Sequence, residues 1–552
     1  MSGERFAEKE RHEAIKKALE NVLGEDYVSD DPAVLESYGK DASAHGILFG
    51  KAPEFVVLPG SAREVQAVVK IANRFKAPFI TGGQMYLSHC VPSAPGFITI
   101  DMKRMNKILD INEKDRYAVV EPLVTYAELQ SEAQKRGLFV RTPFSGAVCS
   151  VIANHLFMGS TGLDWKFGFA PKNILAVEWI LPTGEMVKLG SLGNPDSGWI
   201  WGEGPGPDLR GFLRGLFGVG AGLGIVTKMA VKLHPWPGPK DFSSCLRGPS
   251  PSVENAWING WKKEFRLPHD RFRYYLIAYP SIEKVVEAIR EIGEAEIGAS
   301  CQFYSAWFMC FEGTQSQKEF WETWRTNVYQ TLGGIFGPNV PAYALVVQIV
   351  GFTSPKQVEY EEKVLRQIVE ETGGKFVPED SKVYYDWMVC GKMADFWRAA
   401  VPRISRPMGT HFPIRVPMES LDHVAKAYTY ILSWLDHYVK RYGFPDSKNA
   451  VISGIDFGHF ANLETDIQFD QSNVEMLKVA LKVAEDGLKD DMEKGFYAYA
   501  KTPEAHDFTG PLLSNYHILL EKVKRLLDPN NISNPPHPIK IRSSGKTSLD
   551  VV

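Results

Sequence analysis

A loop with two adjacent glycines is the stretch of this sequence best suited to chemistry. It spans residues 81–96, TGGQMYLSHCVPSAPG, and follows a predicted short strand at residues 78–81. Gly82 and Gly83 allow backbone torsion angles that other residues resist. Successive N–H groups in such a loop can form an anion-binding concavity, for which we expect a pyrophosphate as ligand. A glycine pair after a strand is also often a plain turn, and the loop alone leaves both interpretations open.

The segments on either side of this loop are predicted to hold it in place. An apolar run and a Pro-Gly turn come first, and Ser61 is placed to cap a helix over residues 62–74. After the loop, residues 97–112 predict a buried strand, a turn and a second strand. Thr125 is then placed to cap another helix, with Glu128 at the capping-box position. Strands and helices therefore alternate around the loop.

Length and composition limit the classes of protein to be considered. With 552 residues the chain exceeds one ordinary core, so we expect two or more domains. A hydrophobic content of 44% and a net charge of −4 indicate a soluble globular protein with no case for nucleic acid. No apolar run reaches the ~20 residues that span a membrane, and the charged N-terminus is unlike a signal peptide, which predicts a cytoplasmic location. The six cysteines form no CxxC pair, which predicts free thiols and no bound metal.

The pattern changes after the proline-rich segment PWPGP at residues 235–239, which is the best candidate for a domain boundary. Beyond it, strand-like segments such as 272–279 are each followed by a helical pattern. Such units predict an antiparallel sheet with helices on one face. Residues 303–329 are dense in aromatic side chains. They suit a pocket for a flat apolar substrate, the core of this domain or a subunit interface, and the sequence leaves the three open.

The order of elements resembles that of the vanillyl-alcohol oxidase and p-cresol methylhydroxylase flavoproteins. The stretches that carry the resemblance are PEFVVLPGSAREVQAVVKIANRF, IDMKRMNKILDIN, AVVEPLVTYAEL, LAVEWILPTGEMVKLG, GLFGVGAGLGIVTKMAVKLHPWPG and VKRLLDPNNISNPP. The resemblance implies an α+β fold, with a two-subdomain FAD-binding domain of the p-cresol methylhydroxylase (PCMH) type and an antiparallel-sheet cap domain for the substrate. The expected division is a helical lead-in at 1–52, the FAD-binding domain at 53–238, the cap at 239–490 and a tail at 491–552 that returns to the FAD-binding domain.

FAD is the cofactor that the resemblance implies. The implied contacts are Pro59, Thr81, Gly82, Gly83, Gln84, Met85, Tyr86, Leu87, Ser88, Gly146, Ser150, Asn154, Gly159, Ser160, Gly162, Gly222, Gly224, Ile225 and Val226. Small residues among them let the backbone approach a ring system. His411, in MGTHFPIRVP, matches the histidine that some members bond to the flavin 8α-methyl group. The alternative is a strand-edge histidine in a protein that binds FAD without a covalent bond.

Three residues match catalytic positions of these flavoproteins. His459, in GIDFGHF, resembles a second active-site histidine, and histidine suits proton transfer because its unperturbed pKa is ~6.5. Tyr499 matches a tyrosine that holds a phenolate, with Tyr497 as the alternative if the register slips by two. The arginine that follows this tyrosine in phenol-oxidising members is replaced by Ala500. A second phenolate-binding tyrosine is replaced by Leu87.

Two further departures concern charge. The acidic residue expected near flavin N5 falls at Phe169, although Asp164 is close in sequence. Arg415, Lys501 or Arg398 would have to replace the missing cation if the substrate is a free phenol. The phenolate-stabilising set is thus largely absent.

The leading hypothesis is an FAD-dependent oxidoreductase that takes hydride from a small aromatic, benzylic or apolar alcohol. One alternative is a flavin-dependent 2-hydroxy acid dehydrogenase that passes electrons to a partner protein. The cations that would grip its carboxylate are Arg398, Arg403, Arg406 and Arg415. A second alternative is a non-catalytic scaffold subunit that has lost the catalytic site. Expected partners are a small-molecule substrate and a cytochrome, iron–sulfur or flavoprotein electron acceptor, and the resemblance implies a homo-oligomer or complex subunit.

Overall fold

The computed structural model describes most of the chain. The described residues are 2–41, 44–82, 91–143, 148–157, 159–190, 209–214, 222–247, 264–314, 316–393, 397, 405–406, 409–442, 449–470, 472–496, 503–535 and 539–541. Three sheets of four or more strands organise them.

The first sheet has four strands in the order β1-β2-β4-β3. They are β1 (Val28–Ser29), β2 (Phe55–Val57), β3 (Phe79–Gly82) and β4 (Ile98–Asp101). The helix α4 (Ala62–Phe75) connects β2 to β3 and buries four apolar residues on one face. It begins where predicted, because the Ser61 side chain accepts a hydrogen bond from the N–H of Glu64. The strands β2, β4 and β3 are parallel, so the carboxyl end of β3 delivers the chain into the glycine loop.

The second sheet has five antiparallel strands in the order β5-β6-β10-β8-β9. They are β5 (Ile108–Asn112), β6 (Tyr117–Val120), β8 (Ile174–Ile180), β9 (Met186–Leu189) and β10 (Ile225–Lys232). Helix α5 (Tyr126–Lys135) packs on it and begins with the predicted capping box of Thr125 and Glu128. A short ribbon of β7 (Leu138–Phe139) and β11 (His234–Pro235) lies at the border with the next sheet.

The third sheet has nine strands, and its pairs are antiparallel. The main path runs β17-β14-β16-β15-β21-β22-β19-β18, and β20 also pairs with β22. The strands are β14 (Phe272–Tyr279), β15 (Ser300–Tyr304), β16 (Tyr343–Val350), β17 (Lys375–Phe376), β18 (Ser405–Arg406), β19 (Gly409–Arg415), β20 (Met418–Glu419), β21 (Asn449–Ile455) and β22 (Phe460–Phe469). A small ribbon of β12 (Leu246–Arg247) and β13 (Glu264–Phe265) precedes it. The fold is thus the predicted mixture of a two-sheet half and an antiparallel cap sheet.

The remaining helices flank these sheets. They are α1 (Ser2–Leu23), α2 (Pro32–Ser37), α3 (Ala44–Phe49), α6 (Val151–Leu156), α7 (Asp164–Phe167), α8 (Ile282–Glu294), α9 (Ala306–Gly313), α10 (Gln317–Trp324), α11 (Pro355–Glu371), a π-helix (Tyr384–Lys392), α12 (Leu421–Tyr442), α13 (Val474–Lys494), α14 (Pro503–Leu512) and α15 (Tyr516–Leu527). Within the described ranges, no helix is long and apolar enough to cross a membrane. A 3₁₀ turn, Leu209–Phe212, lies between β9 and β10.

The cap sheet is covered on both faces, so the expectation of helices on one face was wrong. Helices α8, α11, α12 and α13 pack against one face through apolar side chains such as Ile277 and Val347. The other face packs against α9, the π-helix and residues of the two-sheet half, including Phe139 and Trp236. The aromatic segment supplies much of this second core, where the rings of Trp307 and Phe320 lie 4.5 Å apart. Of the three interpretations of that segment, its described side chains fit a domain core.

Candidate functional site

A cleft opens between the first two sheets. It encloses about 930 Å³ of open space, including solvent at its mouth. Its walls come from β3, from α6, from the turn that enters β10 and from the C-terminal tail. The lining residues are Phe79, Ile80, Thr81, Gly82, Met102, Pro122, Leu123, Ser150, Ile152, Ala153, Leu156, Phe157, Gly222, Gly224, Ile225, Val226, Ser533 and Asn534. Apolar walls with a few polar atoms are typical of a cofactor site.

A glycine turn forms one edge of this cleft and has no room for side chains. Gly222 and Gly224 have φ angles of +77° and +96°, in the region that favours glycine. A Cβ atom on Gly222 would lie 1.9 Å from the carbonyl oxygen of Ser533, and one on Gly224 would lie 2.1 Å from that of Ile180. These clashes explain why glycine occupies both positions.

The C-terminal tail closes the cleft through a buried ion pair. The Lys524 ammonium donates to the carbonyl oxygens of Gly222 at 2.7 Å and Ser533 at 2.6 Å, and to Asp528 Oδ2 at 2.7 Å. Asp528 Oδ2 also accepts from the N–H of Ser533 at 2.9 Å. The tail then pairs with β3, where the N–H of Phe79 donates to Ile532 O at 2.7 Å. The tail therefore contacts both sheets of the FAD-binding half.

Seven of the residues predicted to bind the cofactor line the cleft. They are Thr81, Gly82, Ser150, Gly222, Gly224, Ile225 and Val226. The groups are about 70 residues apart in sequence, 68 from Gly82 to Ser150 and 72 from Ser150 to Gly222, and the fold brings them together because β3, α6 and the turn before β10 all line the cleft. Asn154 lies on α6, and Gly159, Ser160 and Gly162 follow that helix, but none of the four belongs to the cleft lining; Pro59 lies in the turn after β2. Gly83, Gln84, Met85, Tyr86, Leu87, Ser88 and Gly146 lie outside the described residues.

A buried polar cluster lies behind α6. The Arg141 guanidinium is fully buried and donates from Nε to Asp164 Oδ1 and from Nη2 to the carbonyl oxygen of Gly159. The Tyr126 hydroxyl lies 2.9 Å from Asn154 Oδ1 and 2.9 Å from His155 Nδ1. A Cβ atom on Gly159 would lie 1.7 Å from Asn154 Nδ2, so glycine lets the two segments meet.

Asp164 is therefore not a free acid near the flavin. Besides Arg141, it accepts a hydrogen bond on Oδ2 from the N–H of Thr161 at 2.9 Å. A carboxylate with these partners orders the loop between residues 159 and 167. The suggestion that it replaces the missing acidic residue at Phe169 is not favoured by these contacts.

Arg415 is likewise unavailable to a substrate. It is fully buried, and its Nη1 lies 3.0 Å from Asp490 Oδ2 while its Nε donates to Asp491 Oδ1 at 2.9 Å. Its guanidinium also lies 4.6 Å from the ring centroid of Trp434. Two carboxylates and an aromatic ring hold this cation within the cap, so we reject its assignment as a replacement cation.

The predicted catalytic residues fall in different places. His459 lies exposed in the turn between β21 and β22, next to Asp456 and Phe457, whose N–H groups donate to the carbonyl oxygens of Asp164 and Trp165. His411 lies in β19 in register with Gln468. Tyr497, Tyr499, Lys501 and Arg398 lie outside the described residues.

Comparison with known proteins identifies the segment that supplies most of the cleft lining. Residues 53–190 match a family model described as an FAD binding domain. These residues form an FAD-binding domain. FAD is accordingly the cofactor of this domain, and the cleft suits it, since a glycine edge and apolar walls occur together.

Curated dehydrogenases match about two fifths of the chain. The chain is 30% identical to D-2-hydroxyglutarate dehydrogenase of Stutzerimonas stutzeri over 42% of this chain and 50% of that protein. It is 32% identical to the flavoprotein subunit of 4-cresol dehydrogenase [hydroxylating] of Pseudomonas putida over 41% of this chain and 43% of that one. The aligned part thus spans about half the length of these relatives.

One solved structure is similar over nearly the whole chain. Substrate-bound p-cresol methylhydroxylase gives a TM-score of 0.70 at 19% identity, covering 96% of this chain and 97% of that one. The likeness establishes a PCMH-like fold for both the FAD-binding half and the cap.

Sequence reasoning missed the walls that come from apolar residues and from the tail. Phe79, Met102 and Leu123 follow ordinary strand patterns, which carry no sign of a ligand. Ser533 and Asn534 belong to a stretch that resembles the end of the flavoproteins above, and that was the signal that could have placed them in the cleft.

His155 predicts a measurable acid sensitivity. Burial, helped by the positive charge of Arg141, lowers its pKa from 6.5 to about 3. Between those pH values the unfolded chain binds a proton that the folded chain does not, so stability is fully present above pH 6.5 and is lost as the pH falls. His155→Leu should flatten the dependence of the unfolding free energy on pH by up to about 1.4 kcal/mol per pH unit. Urea unfolding of the FAD-free protein across this range measures it.

The matched control is His423→Leu, because the His423 side chain is 57% exposed. This variant removes a histidine from helix α12, outside the buried cluster around Arg141. Equal slopes for His155→Leu and the wild type would show that folding does not lower the pKa of His155.

Proposed function

We propose that this protein is an FAD-dependent oxidoreductase whose substrate binds between the FAD-binding half and the cap sheet. The observation that carries the proposal is the cleft edged by Gly222 and Gly224, which lies in and beside a segment matched as an FAD binding domain. The likeness to p-cresol methylhydroxylase supports a cap in the position that this reaction needs. Fold does not fix chemistry, so the substrate needs its own argument.

The chain's own residues supply binding and orientation. The loop at residues 81–88 would receive the pyrophosphate, and Gly222, Gly224, Ile225 and Val226 would receive the adenine end. Small residues from Gly146 to Gly162 would border the ring system. When bound, the flavin supplies the hydride acceptor, and the protein positions the substrate against it.

The substrate that we favour is a small aromatic, benzylic or apolar alcohol. The side of the cap that packs against the two-sheet half is rich in buried aromatic and apolar side chains, among them Tyr304, Phe308 and Trp387. His459, Tyr499 and Tyr497 remain the proposed proton-handling residues. The exposed position of His459 would let it exchange a proton with solvent. His411 remains the proposed site if the flavin is bonded covalently.

A 2-hydroxy acid is the second candidate substrate. The similarity to D-2-hydroxyglutarate dehydrogenase favours it. This reaction needs a cation that grips a carboxylate, and the contacts of Arg415 remove one of the four arginines considered. Arg398, Arg403 and Arg406 would have to serve.

Anaerobic reduction of the bound flavin tests the proposal. The protein is mixed without oxygen with 4-alkylphenols, benzylic alcohols or D-2-hydroxy acids, and the loss of oxidised-flavin absorbance is followed. We expect one class to reduce the flavin at least about a hundredfold faster than the other, and we expect the aromatic class to be the faster.

The L-enantiomers of the hydroxy acids serve as the control for a specific site. If dithionite bleaches the flavin but no member of either class does, the proposed activity is wrong. Faster reduction by a D-2-hydroxy acid would select the second candidate.

We also propose the division into a lead-in at 1–52, an FAD-binding domain at 53–238, a cap at 239–490 and a returning tail. The separate sheets and the tail's contacts with β3 support it. Assembly as a homo-oligomer or complex subunit, and electron transfer to a partner protein, are parts of the same proposal.

A further inference from the structure

One nitrogen of the buried Arg141 has nothing to bind. Its Nε and Nη2 are used by Asp164 and Gly159, but Nη1 has no hydrogen-bond partner among the described residues. The side chain is fully buried, so water in bulk does not reach it. Burying a hydrogen-bond donor without a partner costs more free energy when the donor belongs to a charged group than when it belongs to a neutral group. An unpaired buried group of this kind is therefore a candidate for binding a ligand.

His155 leaves a second open atom in the same cluster. Its Nδ1 lies 2.8 Å from the carbonyl oxygen of Val151, which can only accept, so Nδ1 carries the hydrogen. The Nε2 atom of the neutral ring is then an acceptor, and it has no partner within the described part of the chain. The Nη1 donor of Arg141 and the Nε2 acceptor of His155 are thus both without a partner in the described part of the chain.

A continuous set of hydrogen bonds connects this cluster to the cofactor cleft. Arg141 donates to Gly159 O, and the N–H of Gly159 donates to Asn154 O at 3.0 Å. Asn154 and His155 lie on α6, whose Ile152 and Ala153 line the cleft. The cluster is thus one helix away from the space that receives the cofactor.

The other side of the cluster contacts the cap. The carbonyl oxygen of Asp164 accepts from the N–H of Asp456 at 3.1 Å, and that of Trp165 accepts from the N–H of Phe457 at 2.7 Å. Both donors belong to the β21–β22 turn that carries His459. Arg141 therefore lies between the cofactor cleft and the cap, where the proposed function puts the substrate.

We propose that Arg141 is a positioning residue that donates a hydrogen bond from Nη1 to an oxygen atom carrying or gaining negative charge at the junction of cofactor and substrate. The inference rests on the proposed function. The oxygen belongs either to the flavin ring or to the substrate, as a hydroxyl, phenolate or carboxylate. Both sources use the same chemistry, a charge-assisted hydrogen bond in a site closed to water.

Arg415 shows what a purely structural arginine looks like in this chain. It is equally buried, but two carboxylates lie at its nitrogen atoms and Trp434 covers its face. Arg415 Nη1 also lacks a hydrogen bond, but it lies 3.0 Å from Asp490 Oδ2, which with Asp491 gives Arg415 two carboxylate partners, whereas Arg141 has one, Asp164. Arg415→Met is therefore a matched control for loss of a buried arginine outside the site.

The test compares Arg141→Met, Arg141→Lys and Arg415→Met as FAD-loaded proteins. Flavin content is measured first, then the equilibrium of the flavin with a reference redox dye, then kcat and KM with the substrate that reduces the wild type. If the oxygen belongs to the flavin, Arg141→Met should change the equilibrium constant between flavin and dye by about tenfold to a hundredfold, in the direction of oxidised flavin. If it belongs to the substrate, KM or kcat/KM should change by that factor with the dye equilibrium unchanged.

Arg415→Met should alter neither quantity, although it should lower the melting temperature. If Arg141→Met does not fold, Arg141→Lys provides the test. Lysine keeps the positive charge but not the planar, forked arrangement of guanidinium N–H groups, so this variant should show the same change with a smaller factor. The proposal is overturned if Arg141 variants lose only stability, as the Arg415 variant does. Failure of the proposed function is seen separately, as a wild type that holds no flavin or is not reduced by substrate.

Discussion

Replacing Gly222 with alanine is expected to abolish FAD binding. The new Cβ atom would lie 1.9 Å from Ser533 O and 2.8 Å from Lys524 Nζ, so the tail must move away from the cleft. The positive φ of +77° adds a conformational cost. We expect the dissociation constant for FAD to rise by at least about a hundredfold, with a loss of stability of roughly 2–4 kcal/mol. Titration of FAD-free protein, followed by flavin fluorescence, measures the first effect and urea unfolding the second.

Gly137→Ala is the matched control. Gly137 also has a positive φ, +72°, but no atom lies within 4 Å of a Cβ built there. This variant should lose only about 1–2 kcal/mol of stability and bind FAD normally. Normal FAD binding by Gly222→Ala would show that the cleft edge is not part of the cofactor site.

Removing the Lys524 ammonium should be the second largest effect. The residue is fully buried, and it links Gly222, Ser533 and Asp528, so Lys524→Met leaves a buried carboxylate and two carbonyls without their donor. Loss of one partner of a buried ion pair costs about 3–5 kcal/mol. Because Ser533 and Asn534 line the cleft, FAD affinity should fall together with stability. Thermal melting of the FAD-free protein and FAD titration give the two quantities.

Lys482→Met provides the control, since Lys482 and Asp486 have the same i,i+4 spacing at 2.9 Å but an exposed ammonium. Exposed pairs of this kind contribute little to stability. The double variant Lys524→Met with Asp528→Asn should lose less than the sum of the single variants, because the two residues are coupled. Additive losses would mean that the ion pair does not hold the tail.

Features that depend on neighbouring residues could be predicted from the sequence. The helix N-cap at Ser61 and the capping box of Thr125 and Glu128 each depend on residues that are three positions apart, and both are present. The glycines at 222 and 224 were predicted at the cofactor by resemblance, and they line the cleft. Local hydrogen bonds and turn geometry therefore explain most of the helices and turns that were predicted correctly.

Features that depend on distant pairing could not be predicted. Arg141 and Asp164 are 23 residues apart, and Arg415 and Asp491 are 76 apart. A sequence does not show which carboxylate will pair with which arginine. Arg415 was therefore predicted as a possible substrate-binding cation, and Arg141 was not. The second covered face of the cap sheet was missed for the same reason, because the FAD-binding half supplies part of its cover.

The flavin content of the purified protein tests the central claim most directly. The visible spectrum is recorded before and after acid precipitation, and the flavin is quantified per chain. We expect one FAD per chain. Flavin that stays in the pellet would show that FAD is bonded covalently to the protein and would make His411 the residue to replace. Flavin in the supernatant would mean that FAD is held by the cleft alone. Absence of flavin from both fractions, with no uptake of added FAD, would contradict the account and favour a scaffold subunit without catalysis.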